Sequence, residues 1–454
     1  MGGDGRSRRL LFHSYHFPPI GGSGVQRPLK MVRALDRIGY ESVVVTSSGA
    51  TRDRWAPEDS GLLAEIPAHL EIRRVPGDEP GARTRWDGLA ERWLGASGAW
   101  SRWWNEQSYR AAVDGGTDFD LIYVWMQPYA SAETGAALSR DLEKPWIADL
   151  GDPWALDEMM VYPSSLHRRV AAKRMRELLR TASAIVMSTP EAARRLLAAF
   201  PDLGDRPVVV IPNGFDRADF AHPVSPRGDG KLRIVHTGYL HTALGEQHRQ
   251  KRALRRVLGG SVHGLDILTR SHVHLVEALN RLITDDRSLE HVLDLHLAGV
   301  MTEADRAVVT TRCPVTLHGF MSHTDSVELM RSADLLFLPM QNLPPGTRAT
   351  IVPGKTYEYL ASGRPILAAV PDGDARDILG EAGNALLVRP DDVSGMSSAI
   401  RGQLDRFFAG TPSPPPDPAV VERFEYSTLA GDLANVFDLV LAGRQLQDGA
   451  TNQP

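Results

Sequence analysis

The chain has 454 residues, 51 basic and 56 acidic side chains and a formal net charge of −5. That length exceeds one typical hydrophobic core, so two domains are expected, and the slight acidity excludes a general pull toward nucleic acid. A single cysteine, Cys313, excludes an internal disulfide and a cysteine-based metal cluster and suits a reducing cytoplasm.

The opening MGGDGRSRRLLF has basic residues but no apolar run of signal-peptide length, and no stretch reaches membrane-span length, so a cytoplasmic location is expected. Arg8–Phe17 reads as a strand stopped by Pro18-Pro19. The loop Gly21-Gly22-Ser23-Gly24 lets backbone N–H groups approach a ligand closely. From Val25 to Ile38, Val25, Leu29, Val32 and Leu35 share one helical face, Gly39 ends the helix, and Glu41–Thr46 is the next strand. A glycine-rich first loop suggests a nicotinamide cofactor, but the spacing is not G-x-G-x-x-G. The second strand also ends in Thr46-Ser47-Ser48, without an acidic residue to hold a ribose.

Leu70–Val75 is a further strand. Trp86, Trp93 and Trp100 then recur every seven residues, followed by Trp103 and Trp104. Packing onto the domain is the preferred reading of this stripe, because aromatics dominate cores; an acceptor or membrane-interface surface is the alternative. Asp120–Met126 is a strongly apolar strand, Ser131–Leu142 its return helix, and Trp146–Leu150 a strand running into Gly151-Asp152-Pro153-Trp154. Acidic residues at the C-terminal end of a parallel strand lie where such sheets bind ligands, which makes Asp149 a candidate catalytic group and Asp152 a turn residue. The helix Ser164–Ala182 carries Arg168, Arg169, Lys173, Arg174, Arg176 and Arg180, read as a solvated face or as a peripheral contact with anionic lipid on the inner membrane face. Ala184–Ser188, a helix over 190–200 and Val208–Ile211 complete the first sheet, closed by Pro212-Asn213-Gly214.

Residues 215–231 are polar and aperiodic and read as a linker. Leu232–Leu240 restarts the pattern with a strand and a small-residue loop. The insertion 241–269, with Arg249, Lys251, Arg252, Arg255 and Arg256, reads either as a mobile lid or as a solvated decoration. A helix over 272–284, strand Leu293–Gly299, helix 302–312, strand Val315–Phe320, helix 324–333 and strand Leu335–Pro339 follow. In Gly346–Pro371, Pro353-Gly354 opens a helix, Lys355, Tyr359 and Leu360 follow at helical spacing, Ser362-Gly363 ends it, and Pro365–Val370 is a buried strand. The free N–H groups of that helix N-terminus suit phosphate, Lys355 adds a full charge, and Glu358 can accept two hydroxyl hydrogen bonds from a sugar. An ordinary core helix with a surface Lys–Glu pair is the plain alternative. Helix 375–382, strand Ala385–Val388 and helix 394–408 complete a second doubly wound domain. The proline run 411–418, a final amphipathic helix Phe424–Leu441 and a disordered tail close the chain.

Four stretches carry a family resemblance: FPPIGGSGVQRP, IADLGDPW, IPNGFD and VPGKTYEYLASGRPILA, supported by LHGFMSHTDSVELMRSADLLFLP. In this order they resemble the GT-B glycosyltransferases of family 4. The resemblance implies an α/β, GT-B fold of two doubly wound, Rossmann-like domains facing across a cleft. It places an acceptor domain at 1–214, a linker at 215–231 and a nucleotide-sugar domain at 232–410. The proline linker and a helix crossing back fill 411–443, with a disordered tail at 444–454. It also implies hexosyl transfer, with retention and without metal or cofactor, from a nucleoside diphosphate sugar (UDP- or GDP-linked) to a polysaccharide, lipid-linked glycan or small natural product.

Carried over by position, Glu358 holds the ribose, and Gly354 and Lys355 lie by the diphosphate, with Thr356 in the substrate-binding set beside them. Gly21 and Gly22 bring amides from the first domain, and cleft closure is expected to unite the two sets. Gly238, Arg270 and Thr350 complete the substrate-binding set, and Gly22, Asp149 and Lys355 form the catalytic one. Four positions depart from the family's pattern. Thr350 stands where many relatives have a Glu, and Gly238-Tyr239-Leu240 lacks the loop Arg, for which Arg270 is the nearby stand-in. Gly151 replaces the Arg of an RDPW variant, and Gln127 stands where a His is often found. A GT-B sugar-nucleotide epimerase, which needs cleft carboxylates, and a non-catalytic sugar-nucleotide-binding protein are the alternatives.

Overall fold

The computed structural model describes residues 8–49, 57–77, 98–224, 227–251 and 257–451, with side chains to residue 443. Trp86, Trp93, Arg252, Arg255 and Arg256 lie outside the described residues. The chain divides into two units, Met1–Asn213 with Tyr426–Pro454, and Gly214–Glu425.

The first unit is built on strands β1 (Arg8–His13), β2 (Tyr40–Thr46), β3 (Glu71–Arg74), β4 (Leu121–Trp125), β5 (Trp146–Leu150), β6 (Ala184–Met187) and β7 (Val208–Val210). They form one parallel sheet in the order β3-β2-β1-β4-β5-β6-β7. Helices α1 (Ser23–Arg37), α2 (Ala99–Asp114), α3 (Ser131–Leu142), α4 (Ser165–Leu179) and α5 (Pro190–Ala199) make the connections. The continuous apolar runs are needed because both sheet faces are covered. Alternation then sorts them: Leu10, Phe12, Val44 and Ile147 share a core with Val25, Leu29 and Val32 of α1, whereas Leu11, Val43, Val45 and Ala148 enter the opposite core.

The aromatic stripe resolves as packing where it is described. Trp104 is fully buried, its indole N–H donates to Ser131 Oγ at 2.9 Å, and its ring meets Tyr15 edge-on at 4.9 Å. Trp100 and Trp103 pack beside it. On α4, Arg174 pairs with Glu133, Arg176 with Asp202 at 2.9 Å and Arg180 with Asp202 at 3.4 Å. Much of its charge therefore faces acids of its own unit.

The second unit has strands β8 (Leu232–Thr237), β9 (Leu293–Ala298), β10 (Val315–Gly319), β11 (Leu335–Pro339), β12 (Ile366–Ala369) and β13 (Ala385–Val388), parallel and ordered β10-β9-β8-β11-β12-β13. Helices α6 (Thr242–Gln250), α7 (Val273–Asp285), α8 (Glu303–Ala307), α9 (His323–Arg331), α10 (Lys355–Ala361), α11 (Asp374–Ala382), α12 (Val393–Phe408) and α13 (Pro418–Glu422) belong to it. Leu275, Leu279 and Leu282 of α7 and Met396, Ile400 and Leu404 of α12 cover Leu232, Leu295 and Phe337 on one face.

Two segments read as linkers fold onto this unit. Phe215 is buried, and its N–H donates to Phe424 O at 3.0 Å. Asp417 N–H donates to Ala382 O at 2.9 Å, and Phe424 packs on Tyr357 at 4.8 Å between ring centres. Buried aromatics at both ends override the polar composition between them. The described part of the 241–269 insertion is also anchored. Arg249 pairs with Asp266 at 2.7 Å, and Leu265, Ile267 and Leu268 are buried. A side chain on Gly245 would collide with the Leu268 backbone.

The last helix, α14 (Tyr426–Thr451), belongs to the first unit, where Leu429, Leu433, Val436 and Phe437 join the core beside α1. No described helix is long and apolar enough to cross a membrane.

Candidate functional site

In the second sheet the chain order reverses between β8 and β11, and the crevice beyond the C-terminal ends of such strands is where ligands bind in open α/β sheets. Gly238, just after β8, has φ +107°, a conformation that suits glycine. A Cβ there would fall 2.6 Å from Lys355 Nζ. Gly299 is equally constrained, because a side chain on it would clash with the Gly238 carbonyl. Two glycines thus let backbone and amine share one small space.

Lys355 opens α10, and its Nζ lies 3.2 Å from His236 Nε2. His236 is fully buried and its Nδ1 is 2.9 Å from Phe337 O. A carbonyl only accepts, so Nδ1 carries the proton and Nε2 offers a lone pair to the Lys355 amine. Burial, then Lys355 itself, holds the imidazole well below its ordinary range. Burial and the nearby Arg270 push the Lys355 ammonium down to about 7, opposed by Glu358. Arg270 Nη1 donates to Gln341 Oε1 at 3.4 Å, just beyond β11. Two cations held close together at a strand-end crevice call for an anion.

Further along α10, Glu358 Oε1 is 2.9 Å from His323 Nε2. His323 Nδ1 lies 3.9 Å from Asp219 Oδ2. Tyr359 OH accepts from Thr237 N–H at 2.9 Å and ties α10 to the end of β8. The helix N-terminus is less open than its sequence suggests. Thr356 N–H donates to Pro353 O at 2.9 Å and Tyr357 N–H to Gly354 O at 3.2 Å, so those amides are already engaged. Gly354 is exposed, whereas Thr350 and Thr356 are fully buried, and the Thr356 hydroxyl has no hydrogen-bond partner among the described residues. Attraction for a phosphate therefore falls on the Lys355 and Arg270 side chains.

The first-unit candidates divide differently. Gly22, at φ 85°, precedes α1, while the Gly21 N–H donates to Pro57 O at 2.6 Å and is not open to a ligand. Asp149 is fully buried. Arg27 grips it through Nε at 2.9 Å and Nη2 at 3.1 Å, and Tyr123 OH also donates to it. Burial pushes this carboxyl up and Arg27 pulls it back. Arg27 and Tyr123 thus engage both oxygens of this buried carboxylate, which braces the sheet end. Gly151 has its own reason: a side chain there would strike the Trp125 ring, which lies 5.2 Å from the Arg27 guanidinium. His236, His323 and Gln341 escape sequence reading. Only His236 carries a local signal, an imidazole in the strand row that Leu232 and Ile234 direct into the core.

Residues 21–214 match the family described as Glycosyl transferase 4-like domain, and residues 266–406 the family described as Glycosyl transferases group 1. The chain is a group 1, GT4-like glycosyltransferase. As such it uses a nucleotide-sugar donor. This glycosyltransferase is similar in fold to Anabaena HepE in complex with UDP and glucose, at 15% identity and TM-score 0.55 over 94% of this chain and 99% of that one. It is also similar to sucrose-phosphate synthase from Thermosynechococcus elongatus, at 15% identity and TM-score 0.61 over 96% and 100% of the two chains. A putative UDP-N-acetylglucosamine 2-epimerase from Listeria monocytogenes shares the fold at 15% identity and TM-score 0.51, over 92% of this chain and 95% of that one. These likenesses establish the GT-B fold alone; the family matches separate transfer from epimerisation. No curated protein matches the chain at a significant level.

Proposed function

We propose that this glycosyltransferase binds the diphosphate of a UDP-sugar at the C-terminal ends of β8 and β11. In this reading Lys355 and Arg270 meet the phosphates, Glu358 receives the ribose hydroxyls, and Gly238 leaves room for the leaving group. The hexosyl group passes with retention to a hydroxyl of a saccharide, lipid-linked or small-molecule acceptor, in the cytoplasm. The observation that carries the reading is the Lys355 amine, lodged against His236 with Arg270 beside it and Glu358 one turn along α10. Preorganised cations aimed at a developing negative charge are the usual source of leaving-group stabilisation. Uridine is favoured because the Anabaena protein of similar fold is seen with UDP and with UDP-glucose. Titration calorimetry with UDP, GDP, ADP and dTDP tests this. UDP is expected to bind most tightly and to lose roughly tenfold or more in Lys355→Met, the scale of one charged hydrogen bond. No UDP binding, or unchanged binding in the variant, refutes it.

A further inference from the structure

We infer that His236 is a positioning residue for the donor diphosphate and acts through the amine of Lys355. The inference rests on the nucleotide-binding reading above. By strand alternation His236 continues the row of Leu232 and Ile234, which face an apolar core, an unfavourable place for an imidazole unless both nitrogens are satisfied. Both are. Nδ1–H donates to Phe337 O of β11 at 2.9 Å, and Nε2 accepts from Lys355 Nζ of α10 at 3.2 Å. The imidazole is thus a strut between the two strands that flank the crevice and the helix that carries the charge.

Its consequence lies in the geometry of the ammonium. A charged lysine has three N–H bonds and no acceptor. One points at His236 Nε2, and the other two are left for phosphate oxygens in the space that Gly238 keeps open. Without the strut, a long lysine stem regains its rotamer freedom and loses that aim. His241 and His272 also face the imidazole, and Arg270 and Glu358 face the amine, and the His236–Lys355 contact links strand and helix through this amine.

The test is a double-substitution cycle read by UDP calorimetry on the full chain. His236→Phe keeps the ring and removes the acceptor, and is expected to weaken UDP roughly tenfold. His236→Gln, whose amide reaches toward the Nε2 position, is expected to stay within a few-fold of wild type, while the shorter His236→Asn is not. In a Lys355→Met background, His236→Phe is expected to change UDP affinity less than about twofold. The inference is overturned if His236→Phe binds like wild type, if its loss persists undiminished without Lys355, or if Gln and Asn behave alike. The Gln and Asn pair decides the matter should His236→Phe not fold. Failure of the wild-type chain to bind UDP would instead overturn the nucleotide reading itself.

Discussion

Lys355→Met should remove a recognisable slope from the pH dependence of stability. In the folded chain the Lys355 ammonium is pushed from 10.5 down to about 7, chiefly by burial. The unfolded chain keeps this proton until its ordinary value near 10.4. Between those two values the unfolded state binds one more proton than the folded one, so stability rises with pH across that window. Below pH 7 both states are charged and the full cost of the buried charge is present. The slope for one proton is about 1.4 kcal/mol per pH unit. From pH 6 to pH 9 the wild-type chain therefore gains about 2.7 kcal/mol from this group, and Lys355→Met gains none of it. For a unit of about 200 residues that difference corresponds to roughly 5–11 °C in Tm. The assay is thermal unfolding of both proteins from pH 6 to pH 9. Subtracting one profile from the other cancels the titrating groups that do not face Lys355, and also the constant cost of leaving His236 Nε2 without its donor. Parallel profiles would refute the reasoning.

Other outcomes follow from the same geometry. Glu358→Gln should weaken UDP by about 1–3 kcal/mol in calorimetry, the range for hydrogen bonds to charged groups, and unchanged binding would remove Glu358 from the site. UDP binding at pH 8 should draw in up to about one proton as the diphosphate recharges Lys355, seen as buffer-dependent heat in wild type and not in Lys355→Met. Asp149→Asn should destabilise the first unit by about 3–5 kcal/mol in urea unfolding, because Arg27 stays buried without its counter-charge, and should leave UDP affinity intact. Full stability with lost turnover would return Asp149 to a chemical role. Gly299→Ala should weaken UDP binding by pushing the Gly238 loop toward Lys355, and wild-type affinity would show that the glycine pair is not needed.

The doubly wound plan was legible because strand alternation and helical periodicity are local signals. Leu10, Phe12 and Leu11, Val43 separate onto two faces as a period of two requires. Lys355 and Glu358 were legible because a motif places both on one short helix. What sequence could not supply was the partner of each group. Asp149 reads as a catalytic group at a strand end, and nothing local in the sequence announces Arg27, 122 residues earlier, gripping it. Residues 215–231 look like a linker until Phe215 is found buried. The N-terminus of α10 looks ready for phosphate, but its first amides turn back onto Pro353 and Gly354. His323 reaches Glu358 across 35 residues with no local trace in the sequence.

The hydrogen bond from Phe215 N–H to Phe424 O has a consequence for how this chain can be taken apart. It ties together the entry and exit of the stretch 214–425, which is continuous in sequence and holds every residue proposed here to touch the donor. A segment whose two ends meet is a cassette: chain termini that lie close together are the condition under which domains tolerate insertion and permutation. The second unit can thus be cut at Asn213 and at Tyr426 and produced as one uninterrupted piece. The first unit, by contrast, is split in sequence and needs α14 restored to α1 before it has a complete core.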